Sequence, residues 1–125
     1  MACPATARLH EKAQYEIGLD QRIAARSPHF VLHAPHAAAV SESDQRLIGA
    51  VIPKRWAKRA VTRNAIRRQI HEVWADWSSR LPAGICVVRL KQAYGRAEYP
   101  SATSLPLRQA VRLELNQLFS QLSAS

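Results

Sequence analysis

The segment from Lys54 to Gln69 reads KRWAKRAVTRNAIRRQ, seven Lys and Arg side chains around a few apolar ones, with no acidic residue. Five of the seven are arginine, whose planar fork of donors matches a phosphate with two parallel hydrogen bonds. Lys54, Arg55, Lys58, Arg59 and Arg63 gather where a helix would begin, and there the macrodipole is already positive, so that Asp or Glu is the preferred residue. Cations in that place lack internal counter-ions. The chemistry they suit is neutralisation of an external polyanion, helped by the free N–H groups of a helix N-terminus. A charge run is also the ordinary make-up of a solvated face, and a nuclear-localisation tract needs nothing but the run itself. Against the first reading stands the lack of carboxylates before Glu72 and Asp76, at i+4 from Arg68 and i−4 from Arg80. Against the second stands the amphipathic pattern in which the run is embedded.

Bond-breaking chemistry is poorly supplied. Phosphodiester hydrolysis by a protein needs a positioned nucleophile and usually metal ions on clustered carboxylates, whereas the nine Asp and Glu of this chain are scattered. His29, His33 and His36 invite a zinc hypothesis, but on a strand only His29 and His33 share a face, and His36 follows Pro35. No Cys/His or Ser/His arrangement suited to nucleophilic catalysis stands out. The expectation is therefore no catalytic residue and no metal held by the protein alone.

The totals agree with a binding role. Lys+Arg number 18 against Asp+Glu 9, a net charge of +9, while an apolar fraction of 47% is enough for a folded core. A chain of 125 residues suits a single domain spanning residues 1–125, with residues 1–8 expected as a flexible tail. Cys3 and Cys86 are too few for a disulfide framework, and Cys86 lies within GICVVRL, where a buried, reduced thiol fits best. The opening residues lack the apolar core of a signal peptide, and no run of about eighteen apolar residues follows. A cytoplasmic protein with no membrane partner is expected.

The elements that position the basic run follow from periodicity. Ile66, Ile70, Val73, Trp74 and Trp77 form one helical stripe, predicting a helix from about Ala60 to Arg80, stopped by Leu81-Pro82-Ala83-Gly84. On its wheel Asn64, Arg67, Arg68 and His71 lie away from the stripe, while Arg59 and Arg63 fall near its line. HFVLHAP, RLIGAVIP and GICVVRL read as strands, the first with Phe30, Leu32 and Ala34 on one face. Leu9 to about Ala24 reads as a first helix, and Leu107, Val111, Leu115, Leu118 and Leu122 mark a last one, with Ser104 or Thr103 as its cap. The order is α-β-β-α-β-α with an extra short strand allowed in residues 36–46, which is an α/β (α+β) chain with one sheet packed against helices.

Gly49 to Trp74, GAVIPKRWAKRAVTRNAIRRQIHEVW, resembles the signature of the bacterial ribonuclease P protein component: an apolar strand, a basic pair, a short basic loop, and an R-N-R-x-(K/R)-R motif opening a long helix. Lys54-Arg55 matches the pair, and Arg63-Asn64-Ala65-Ile66-Arg67-Arg68 matches the motif with Ala65 in place of its second arginine. RLHEKAQYEIGL, SPHFVLHA and GICVVRL resemble the family's first helix, first strand and post-helix strand. The resemblance implies a two-layer sandwich like the second domain of ribosomal protein S5. It also implies a left-handed β-α-β crossover, where the general rule gives a right-handed one.

As function, the resemblance implies a small partner of a catalytic RNA that removes 5′ leaders from precursor tRNA, with Mg²⁺ held mainly by the RNA and no obligate protein partner. Lys54, Arg55, Lys58, Arg59, Arg63, Asn64, Arg67, Arg68 and His71 would then meet the RNA. Tyr15, Leu19 and His33 match positions of a cleft that receives the single-stranded leader, where an aromatic ring can stack on a base. Tyr15 and Leu19 also stand at i, i+4, the spacing of an ordinary helix contact with a sheet. A structural RNA-binding protein of ribosomal type would share the charge and size. A helix-turn-helix DNA binder fits less well, because the segments flanking the basic helix read as strands.

Overall fold

The computed structural model describes Arg8, Tyr15, Glu16 and Leu19, and residues 21–34, 46–78, 84–94 and 105–123. Four strands, β1 (Ile23–Arg26), β2 (Phe30–His33), β3 (Arg46–Val51) and β4 (Gly84–Leu90), form one sheet in the order β1-β2-β4-β3. β2 is antiparallel to both β1 and β4, and β3 runs parallel to β4. Parallel neighbours need a crossover, and helix α1 (Ala60–Trp77) supplies it; helix α2 (Leu105–Ser123) closes the chain. The mixed α/β architecture is the one expected.

One face of the sheet carries the core. Phe30 and Leu32 of β2, Ile48 and Ala50 of β3, and Cys86, Val88 and Leu90 of β4 alternate towards it, meeting the apolar stripes of both helices. Ile66, Ile70, Val73 and Trp74 of α1 are buried, and so are Leu107, Val111, Leu115, Leu118 and Leu122 of α2. Burial pushes the Cys86 thiol up to about 12, so it stays protonated and unreactive. Gly84 opens β4 at φ 114°, a conformation that a side chain at this entry would oppose.

Polar contacts fix the helices. Trp77 Nε1 donates to Asn116 Oδ1 at 2.8 Å, and Arg112 of α2 donates to Gln69 Oε1 at 3.0 Å and to Glu72 Oε2 at 2.6 Å. Glu72 thus pairs with α2 rather than with Arg68. Glu114 joins α2 to the β1–β2 turn: it accepts from Ser27, from the His29 backbone N–H at 2.7 Å, from the His29 ring and from the Tyr94 hydroxyl. The His29 ring also stacks on Tyr94, with centroids 3.9 Å apart.

Three sequence expectations need correction or restriction. Ile23–Arg26 is a strand where the first helix was expected to run to about Ala24, so the sheet's additional strand precedes β2; of the 36–46 alternative, residues 36–45 lie outside the described residues. The end of α1 near Arg80 and the Ser104 or Thr103 cap also lie outside them, α1 being described to Trp77. Of the expected tail, only Arg8 is described, and it forms a parallel bridge with Ile48 at the free edge of β3.

Candidate nucleic-acid interface

The basic run leaves β3 at Pro53, whose carbonyl accepts from the N–H groups of Trp56 at 3.0 Å and Ala57 at 3.2 Å. This turn buries Ala57 and leaves Lys54, Arg55, Lys58 and Arg59 exposed. Arg55 lies over the Trp56 ring, 5.3 Å from its centroid, which restricts the guanidinium without neutralising it. α1 then begins at an extended Arg59 with no side-chain cap and no acidic residue in its first turn. The positive end of the helix dipole and the loop cations therefore face the same solvent.

Arg63 resolves its position near the apolar stripe by turning back on the loop. Its Nη1 donates to the Ala57 carbonyl at 3.0 Å and the Lys58 carbonyl at 2.9 Å. It shapes the loop while keeping its charge. Asn64 and Arg68 are exposed and Arg67 is half-buried, with Arg67 Nη1 donating to Asn64 Oδ1 at 3.2 Å. The expected residues from Lys54 to Arg68 thus lie on one continuous loop and helix start.

His71 departs from the cationic face expected for it. It is 9% exposed, and burial together with the charges of Arg8 and Arg67 pushes its imidazole from 6.5 down to about 4. It is a neutral interior ring at neutral pH. A helical wheel alone could not anticipate this, because Arg8 comes from a remote part of the chain.

This burial gives a pH dependence of stability. The unfolded His71 takes up its proton near pH 6.5 and the folded one only near pH 4, so across that interval the unfolded chain binds more protons and stability falls on acidification. Glu114 extends the loss. Burial acts to raise its pKa, but hydrogen bonds from Ser27 and His29 and the His29 charge outweigh it and leave the carboxyl below 4.5. Its contribution is complete above pH 4.5 and disappears as the pH falls through the depressed value. Urea midpoints should decline from pH 6.5 downwards, and His71→Gln should flatten the decline between 6.5 and 4.5. A parent midpoint that is level over that interval would contradict the assignment.

The sheet face opposite the core brings together the second expected group. Tyr15 and Leu19, both helical and half-buried, pack on Leu47, Val51, Ile85 and Val87. His33 stands beside Val87 on that face but is 6% exposed, with Nδ1 3.2 Å from the Gln21 carbonyl oxygen. Its ring faces are covered, which corrects the expectation of an open stacking platform; only its edge remains, and Nε2 has no hydrogen-bond partner among the described residues. Arg89 was not anticipated. It is half-buried and paired in register between Val31 and Val51, so it adds a cation to this face. Its alternation with Val87 in GICVVRL was the available signal.

Among the described residues no group of three His, Cys, Asp or Glu side chains could hold a metal ion. His29 is engaged by Glu114 and His33 lies by Gln21, while His36 lies outside the described residues. The donor set offers no resident Mg²⁺ site, and the arrangement can bind anions and stack bases rather than activate water. Nor is any described helix long and apolar enough to cross a membrane.

The chain is similar to known proteins along nearly its whole length. Residues 3–122 match the family model described as Ribonuclease P. A ribonuclease P protein component of Bordetella parapertussis is 35% identical over 121 residues, covering 96% of this chain and 94% of the relative. One from Ralstonia pickettii is 35% identical over 118 residues, covering 94% and 80%. The structure of the Staphylococcus aureus RNase P protein superposes with a TM-score of 0.68 at 19% identity, covering 91% of this chain and 93% of that one, which establishes likeness of fold. The basic loop and helix, the sheet that carries them and the extent of these matches lead to one assignment: the chain belongs to the ribonuclease P protein family.

Proposed function

We propose that this chain's part in the reaction is to bind and position RNA, and that the cleaving chemistry belongs to its RNA partner. As a protein component of ribonuclease P, it is a subunit of a ribonucleoprotein endoribonuclease that matures tRNA 5′ ends. The observation that carries the binding role is the exposed set Lys54, Arg55, Lys58 and Arg59 beside an uncapped helix start, continued by Arg67 and Arg68. Such a surface lowers the electrostatic cost of bringing two polyanions together. Mg²⁺, held mainly by the RNA in this proposal, would supply charge neutralisation and an activated water at the scissile phosphate. A structural RNA-binding protein of ribosomal type has the charge but not the family match over residues 3–122. A cytoplasmic location follows from the partners proposed.

The second surface, Tyr15 and Leu19 on the Leu47–Val87 patch with Arg89 nearby, suits a single strand: apolar contact for bases and a cation for the backbone. We assign it to the precursor's 5′ leader. Tyr15→Ala should weaken holoenzyme binding of leader-bearing precursor by about fivefold, the lower end of the roughly 1–3 kcal/mol of a base stack, and leave mature tRNA unchanged. Equal loss for both substrates would remove Tyr15 from the leader site.

A further inference from the structure

The sequence leaves Ala65 where the basic motif it resembles has an arginine, and the structure opens a groove at that position. The groove, about 710 Å³, lies along the face of α1 formed by Val61, Asn64, Ala65, Arg68 and Glu72, and Arg108 of α2 lines its other side. A site of this volume accepts a nucleotide-sized group. Its charges are unbalanced. Glu72 is already engaged by Arg112 Nη2, and Arg112 Nε is engaged by Gln69, so the acidic residue is neutralised within the wall. Among the described residues, Arg68 and Arg108 have neither a hydrogen bond nor an ion pair, and both are exposed. Arg108 stands one turn before Arg112, whose contacts fix that side of α2 against α1.

We propose that this α1–α2 groove is a second phosphate-binding track of the RNA interface, with Arg108 supplying from α2 the positive charge that Ala65 does not supply from α1. The methyl group of Ala65 leaves room for a sugar-phosphate to sit between the two guanidinium groups, and Asn64 offers an amide at the rim. The backbone of the RNA subunit is the occupant that fits, because the groove is continuous through Arg68 and Asn64 with the basic start of α1. The inference rests on the reading of that helix as the RNA-binding element.

Affinity for the cognate RNA subunit, measured against salt concentration for the parent, Arg108→Ala, Arg108→Lys and Arg67→Ala, tests it. Arg108→Ala should weaken binding several-fold and make the log–log salt slope shallower by about 0.7–0.9, the release of one counter-ion. Arg108→Lys should keep the parent slope, which separates charge from packing, and the melting temperature should not move, because Arg108 is exposed without an internal partner. Unchanged affinity and slope in Arg108→Ala, with weakened Arg67→Ala, would overturn the groove assignment alone. Loss in neither would overturn the RNA-binding reading of α1 as well.

Discussion

Replacing Lys54, Arg55, Lys58 and Arg59 together by alanine should lower affinity for the RNA subunit by about two to three orders of magnitude near 0.1 M salt while leaving folding stability within about 0.5 kcal/mol of the parent. The two halves of this expectation have separate causes. All four side chains are exposed, and no carboxylate lies in the segment, so nothing internal is lost except the stacking of Arg55 on Trp56. Their crowding at the positive end of α1 is mildly unfavourable in the free protein, which offsets that loss. In the complex, four phosphate contacts correspond to a salt slope of about −3, and at about 0.1 M salt that slope represents roughly three orders of magnitude in the binding constant. Binding curves over a salt series, with a thermal melt of each protein, check both halves. A variant that bound normally would remove the basic loop from the interface.

Phe119→Ala should have the opposite signature. Phe119 is fully buried on α2, within the core that joins both helices to the sheet. Truncating a buried phenylalanine costs about 3–5 kcal/mol in lost transfer energy and residual cavity. A domain holding only about 5–15 kcal/mol in total would then be partly or wholly unfolded at 37 °C. The urea midpoint should drop accordingly with little change in m, and RNA binding should recover under conditions that restore the fold. A loss below about 1 kcal/mol would mean that the helix–sheet core is less tightly packed than described.

Much of this design was legible in the sequence, for identifiable reasons. α1 and α2 have apolar stripes at helical spacing, Ile66 to Trp77 and Leu107 to Leu122, and those residues pack against the sheet as the spacing demands. β2, β3 and β4 show as β-branched and apolar runs bounded by Pro or Gly. β1 did not show, because IAAR is four residues without alternation or strong β propensity; it is a strand because β2 offers its edge. The basic site was readable as composition and place along the chain, but its internal wiring was not. Arg63 reaches two loop carbonyls, Glu72 is taken by Arg112 from 40 residues away, and His71 is enclosed beside Arg8. Each of these depends on a tertiary neighbour that no helical wheel contains. His33 is similar: alternation put it on the expected face, and only packing reveals that its ring is covered.

The division of labour between protein and RNA can be measured directly. Cleavage of a leader-bearing precursor tRNA by the cognate RNA subunit at low millimolar Mg²⁺ would be followed with and without this chain, and with the chain alone. Strong stimulation by the protein, fading as Mg²⁺ is raised, with no cleavage by the protein alone, is the result predicted. Efficient cleavage by the protein in the absence of the RNA subunit would contradict the account.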